Sequence, residues 1–181
     1  MGSNPILGTI RKEEVMNYIF LDIDGVMNNR IDWMYKVNNG LNADRMFCRE
    51  AWCRLQQVVF ETNAKIVLSS SWRLGFRTTI DGIEPKELLG YKDGYAVRLD
   101  KYFKEYDIPV VGCTTVHHDH RGNQIMQYVA EHFNSNDKWI VLDDEDTDMC
   151  NIPKEQIIKT EFETGLLQEH CERIVNYFKG E

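Results

Sequence analysis

Two carboxylates one residue apart, Asp22 and Asp24, close the apolar run Tyr18-Ile19-Phe20-Leu21, and Gly25 follows at once. In an extended strand alternate residues share a face, so both carboxylates project toward one point at the strand's carboxyl end while Ile23 faces away. Gly25 allows a positive φ or a close backbone approach where the chain leaves the sheet, bringing main-chain groups to a ligand. Carboxylates this close repel unless a cation or a shared proton offsets them, and a bound Mg²⁺ is the simplest resolution. An ordinary strand ended by an Asx turn competes with this catalytic alternative, because Asp and Gly are favoured turn residues.

The rest of the chain predicts alternating strands and helices. Phe47, Ala51, Leu55, Val58 and Val59 recur at helical spacing, predicting an amphipathic helix over about 44–62 with Asp44 as its N-cap. Ala64 to Leu68 reads as a buried second strand ending in Ser69-Ser70-Ser71-Trp72-Arg73. A helix marked by Ala96, Leu99, Phe103 and Tyr106 leads to a strand at Pro109 to Cys113. Another helix begins near Gly122 and precedes a strand, Trp139 to Leu142, that ends in Asp143-Asp144. Ile157 and Ile158 suggest a short fifth strand, and Leu167 to Phe178 a final amphipathic helix. Residues 28–43 read as a polar loop or flap, and 74–94 carries no clear period. This order favours an α/β fold, a mostly parallel sheet with helices on both faces, whose ligands bind beyond the carboxyl ends of the strands. The Asp-x-Asp, Ser-rich and Asp-Asp clusters all fall on that one edge, which raises the weight of a site over isolated turns.

With 181 residues the chain is sized for one domain, read as residues 16–181, with 1–15 as a flexible or vector-derived leader. No apolar run is long enough to span a bilayer, and no secretory signal is evident. Five cysteines without a Cys-x-x-Cys pair fit reduced thiols in a cytoplasmic protein, implying neither zinc nor disulfides. A formal charge of −8 opposes broad nonspecific nucleic-acid binding but leaves local contacts to small anions open.

In chain order, Asp22-Ile23-Asp24-Gly25-Val26, Leu68-Ser69-Ser70-Ser71-Trp72-Arg73, Arg121-Gly122 and Leu142-Asp143-Asp144 resemble the four motifs of the haloacid dehalogenase (HAD) superfamily of phosphatases. Within it the chain is most similar to a small group with a serine-rich second motif followed by Trp-Arg, an Arg-Gly third motif and a late Gly-Leu, here Gly165-Leu166. That group includes domains resembling nucleic-acid-repair phosphatases. The resemblance implies a Rossmann-like core, Mg²⁺ dependence and an aspartyl-phosphate intermediate.

Carried onto these residues, the resemblance makes Asp22 the nucleophile and Asp24 the acid that protonates the leaving oxygen and then activates water. An Asp22 oxygen, the Asp24 main-chain carbonyl and a carboxylate from Asp143 or Asp144 would hold the metal, the choice between the last two staying open. Ser69 would donate to the phosphoryl group with help from the Ser70 amide, and Arg121 stands where the superfamily often has lysine. Gly25, Ser70 and Arg73 are expected around the substrate, Arg73 contacting phosphate in preference to a surface ion pair. Trp72 is assigned to packing, and the cluster His117-His118-Asp119-His120 receives no catalytic role. The intervals 28–43 and 114–120 are too short for a separate cap domain, so an open site follows, fit for a large substrate unless a partner subunit or the 74–94 segment covers it. The expected function is a Mg²⁺-dependent phosphomonoesterase acting on a nucleotide, another phosphorylated small molecule or a 3′-phosphorylated nucleic-acid end, with an oligomer allowed. A noncatalytic nucleotide or phosphopeptide binder is the alternative, and dehalogenase chemistry is disfavoured by Asp24.

Overall fold

The computed structural model describes residues 15–41, 47–86, 94–116 and 120–180. Asp44, His117, His118, Asp119 and residues 1–14, most of the stretch expected to be a leader, lie outside them.

Five strands form one parallel sheet: β1 (Asn17–Leu21), β2 (Ala64–Leu68), β5 (Val110–Cys113), β6 (Lys138–Asp143) and β7 (Ile157–Lys159), in the order β5-β2-β1-β6-β7. Leu21 aligns with Leu68 on one side and Leu142 on the other, so the three central strands end level. Helices cover both faces. Ile19, Leu21, Ile66, Leu68, Ile140 and Leu142 pack with α2 (Arg49–Thr62), α3 (Tyr95–Glu105) and α5 (Gln168–Lys179). Phe20, Val67 and Val141 pack on the opposite face with Ile125 of α4 (Arg121–His132). This is the alternation that a sheet buried on both sides requires. It is the Rossmann-like α/β core expected from the sequence, and no separate cap domain is present among the described residues.

Three local expectations change. The 28–43 segment holds a helix, α1 (Arg30–Asn38), where a loop was expected: the Asn29 side chain accepts a hydrogen bond from the Asp32 amide at 2.8 Å and caps the first turn. Its apolar residues Ile31, Trp33, Tyr35 and Val37 are exposed, which is why no buried stripe signals the helix. The helix predicted over 44–62 begins at Arg49 with Cys48 at its cap, not Asp44. The aperiodic stretch after Gly75 forms a hairpin, β3 (Phe76–Thr79) paired with β4 (Gly82–Pro85). Gly82, at φ +130°, lies so close to the Val110 carbonyl that a Cβ would overlap it, so the hairpin sits against edge strand β5.

Candidate active site

The level ends of β1, β2 and β6 build the floor of the site. Side chains alternate, so Asp22, Ser69 and Asp143 continue the series of Phe20, Val67 and Val141 on the face covered by α4. The amide of Asp22 donates to the Leu142 carbonyl at 2.9 Å and that of Ser69 to the Leu21 carbonyl at 3.0 Å, extending the ladders one residue past the strands. The α4 N-terminus meets this edge: the Arg121 amide donates to the Asp148 carboxylate at 2.8 Å and the Gly122 amide to the Asp148 carbonyl at 3.2 Å. That anchoring delivers the Arg121 guanidinium to Asp22 at 2.9 Å and to Asp143, pairing both buried carboxylates with one cation.

One guanidinium does not balance the site. Oxygens of Asp22, Asp143 and Asp144 lie within 4.8 Å of one another. Three carboxylates against one arginine leave two negative charges when all are ionised. Burial, and then the charge of Asp143, push Asp22 up to about 7 even with Arg121 alongside. Burial likewise raises Asp143, to about 6, and Asp144. A hard-oxygen cluster with a deficit of two positive charges is the donor set a divalent cation such as Mg²⁺ takes.

Gly25 makes the cluster this tight. It sits at φ +72°, and a Cβ there would overlap the Asp144 carboxyl. Its carbonyl accepts from the Thr160 hydroxyl at 2.8 Å, and Gly165, at φ +67°, brings the following loop against the Val26 carbonyl. Gly25→Ala therefore strains the turn and displaces Asp144 together. We expect it to weaken divalent-ion binding at least about tenfold, measured by calorimetry on the metal-free protein.

Asp24 occupies a different depth. Three successive amides, of Val26, Met27 and Asn28, turn onto the Ile23 carbonyl at 3.3, 2.9 and 3.3 Å, so the chain leaves the strand before Asp24. Asp22 is 4% exposed, whereas Asp24 is exposed, and its carboxylate is not among the clustered oxygens. Instead Asn28 Nδ2 donates to Asp24 Oδ1 at 2.8 Å and the Trp72 indole to Oδ2 at 3.0 Å. Neither partner was singled out from the sequence as part of the site.

The serine motif divides its work. Ser70 caps the 3₁₀ turn Ser71–Gly75, accepting from the Trp72 amide at 3.4 Å, and its side chain also hydrogen-bonds Asp22. Its own amide points at the Leu21 carbonyl, 3.3 Å away, so the expected contribution of that N–H to phosphoryl binding meets a competing acceptor. The Ser69 hydroxyl is fully buried and has no partner among the described residues. Arg73 braces the motif from within: its guanidinium donates to the Ser69 and Ser70 carbonyls, both at 2.8 Å, and to Gln124 Oε1 at 2.8 Å. The substrate contact expected of Arg73 has to compete with these internal bonds.

The structure thus brings Asp22, Arg121, Asp143, Asp144, Gly25 and the two serines to one strand edge, with Asp24 at its rim. A family model for the HAD domain in Swiss Army Knife RNA repair proteins matches residues 18–171. No curated protein and no solved structure matches the chain. The family match begins in β1, the strand that leads into Asp22, and runs into α5, taking in all four sequence motifs, and the chain belongs to the HAD domains of Swiss Army Knife RNA repair proteins.

Proposed function

We propose that this domain is a Mg²⁺-dependent phosphomonoesterase that works through a phosphoaspartate on Asp22 and acts on a phosphorylated nucleic-acid end. The observation that carries this reading is the separation of two carboxylates by depth: Asp22 on a charged, buried floor and Asp24 at the rim. An in-line displacement needs its nucleophile and its leaving-group acid on opposite sides of phosphorus, and that arrangement suits both.

In the first half-reaction Asp22 attacks phosphorus, the bond to the leaving oxygen breaks, and Asp24 gives that oxygen its proton. In the second, Asp24 as carboxylate takes a proton from water, which attacks phosphorus and frees Asp22 and inorganic phosphate. The Ser69 hydroxyl, buried and without a partner among the described residues, is a donor free to meet a phosphoryl oxygen. Arg121 lowers the charge that an incoming phosphate meets at Asp22 and Asp143. Asp22, Asp143 and Asp144, joined by the Asp24 carbonyl, would hold Mg²⁺, which when bound supplies further neutralisation of the phosphoryl oxygens.

The family's association with RNA repair favours an RNA end as substrate, and a 3′-phosphate is the form we assign. A net charge of −8 suits recognition of a terminus better than wrapping of a duplex. The test is phosphate release from 3′-phosphorylated RNA, 5′-phosphorylated RNA and nucleoside monophosphates, each with Mg²⁺ and with EDTA. We expect the 3′-phosphorylated RNA to be hydrolysed fastest and EDTA to lower its rate at least about 10³-fold. Tight binding without release of phosphate from any of them would establish a binding module instead.

A further inference from the structure

We propose that Trp72 is the positioning residue for leaving-group protonation, an inference that rests on the phosphatase reading above. The indole N–H donates to Asp24 Oδ2 at 3.0 Å, from the 3₁₀ turn that follows the serine motif. Asp24 Oδ1 is held at 2.8 Å by Asn28 Nδ2, whose own Oδ1 accepts from the Gly25 amide at 3.1 Å. Each carboxylate oxygen of an exposed side chain is therefore fixed by a donor from a different segment. An exposed aspartate left to itself samples several rotamers, and a proton donor has to lie within hydrogen-bond reach of the oxygen it protonates.

The indole is itself held. The Trp72 ring lies 5.5 Å from the ring of Phe47, which is buried, and 5.3 Å from that of Tyr95 at the start of α3. Lys36 of α1 donates to the Phe47 carbonyl at 2.8 Å, so α1, the Phe47 segment, the 3₁₀ turn and α3 converge behind one hydrogen bond to Asp24. Packing alone needs the ring and not its nitrogen. The N–H aimed at a carboxylate at the rim of the site is the feature that packing leaves unexplained.

Trp72→Phe removes the N–H and keeps a ring in the Phe47 and Tyr95 cluster. The informative quantity is kcat/KM, which reports events up to the first irreversible step and so isolates phosphoryl transfer to Asp22 from hydrolysis of the phosphoenzyme. An alkoxide, as from a ribose 3′-phosphate, departs poorly unless protonated, whereas a nitrophenolate leaves unaided. A residue that aims the acid therefore matters for the first substrate and little for the second.

The experiment compares wild type and Trp72→Phe, with Mg²⁺, on a 3′-phosphorylated RNA and on p-nitrophenyl phosphate. We expect kcat/KM to fall about tenfold on the RNA and less than about twofold on the aryl ester. An equal fall on both substrates marks a packing role and overturns the inference, as does no fall on either; in both cases the phosphatase reading stands. If wild type hydrolyses neither ester, the phosphatase reading fails and the positioning role fails with it.

Discussion

Asp22→Asn is expected to abolish phosphate release while making the metal-free protein more stable at neutral pH. The activity loss should be at least about 10⁴-fold, because an amide cannot form the acyl phosphate. The stability gain follows from the same burial that equips the residue for its role. Asp22 sits 4% exposed beside Asp143, and its carboxyl is raised to about 7, burial being the larger cause. A group whose folded value lies above its unfolded one holds its proton in the native state after the unfolded chain has lost it. Stability therefore falls as pH rises from about 4 toward 7, and the full cost is present above that. Asparagine carries no such cost. Thermal melts in EDTA should show wild type losing stability from pH 5 to pH 7.5 relative to Asp22→Asn, by on the order of 2 kcal/mol. Excess Mg²⁺ should narrow the gap, since a cation that binds the native cluster offsets the charge. Parallel melts across this range would sink the claim that Asp22 is a destabilised, functional carboxylate.

That trade also explains which parts of the site were legible in the sequence. Asp22, Ser69 and Asp143 each stand one residue past a core leucine, Leu21, Leu68 and Leu142, and parallel pairing puts those leucines in register. Apolar runs of similar length ending in polar residues were therefore enough to predict a shared edge. Arg121 was legible only through the resemblance of Arg121-Gly122 to the superfamily's third motif. Asp24 was only half so: strand alternation predicts that it shares Asp22's face, yet the turn onto the Ile23 carbonyl intervenes and sends it to the rim.

What stayed hidden depends on long-range contacts. Trp72 is separated from Asp24 by 48 residues, and an indole in a serine-rich turn carries no mark of the carboxylate it will meet. Arg73 reads as a free cation beside a phosphate motif, but its partners are carbonyls of that motif and a glutamine of α4. The choice between Asp143 and Asp144 is also beyond spacing. Both contribute to the cluster, Asp143 through its place on the strand and Asp144 through a close approach that only a glycine at position 25 permits. Helix α1 escaped notice because none of its residues is buried, so no period betrayed it.

The second large effect belongs to Arg121. Arg121→Ala removes the one side-chain cation among the described residues that is bonded to both Asp22 and Asp143, and leaves two buried carboxylates facing each other. Breaking a buried pair by deleting one partner typically costs about 3–5 kcal/mol, because the charge left behind has no compensation. Here the penalty is moderated, since both carboxyls already lie high and can take up a proton. We therefore expect a loss near 3 kcal/mol in EDTA at pH 7.5, shrinking toward pH 5 as the carboxyls protonate. Mg²⁺ should restore more stability to Arg121→Ala than to wild type, because the vacated charge makes the ion's contribution larger. Catalysis should not recover with it: loss of a fixed positive charge at the transferring group costs about 10²–10³-fold in comparable sites. Arg121→Lys separates charge from shape. An ammonium keeps the net charge but offers one compact donor group in place of a planar fork, so it should recover most of the stability and sit within about tenfold of wild-type kcat. If the lysine variant is as inactive as alanine, the fork is required in its own right. If alanine keeps wild-type activity with Mg²⁺ present, Arg121 is a structural counter-ion only, and the charge at the floor of the site is balanced by the metal alone.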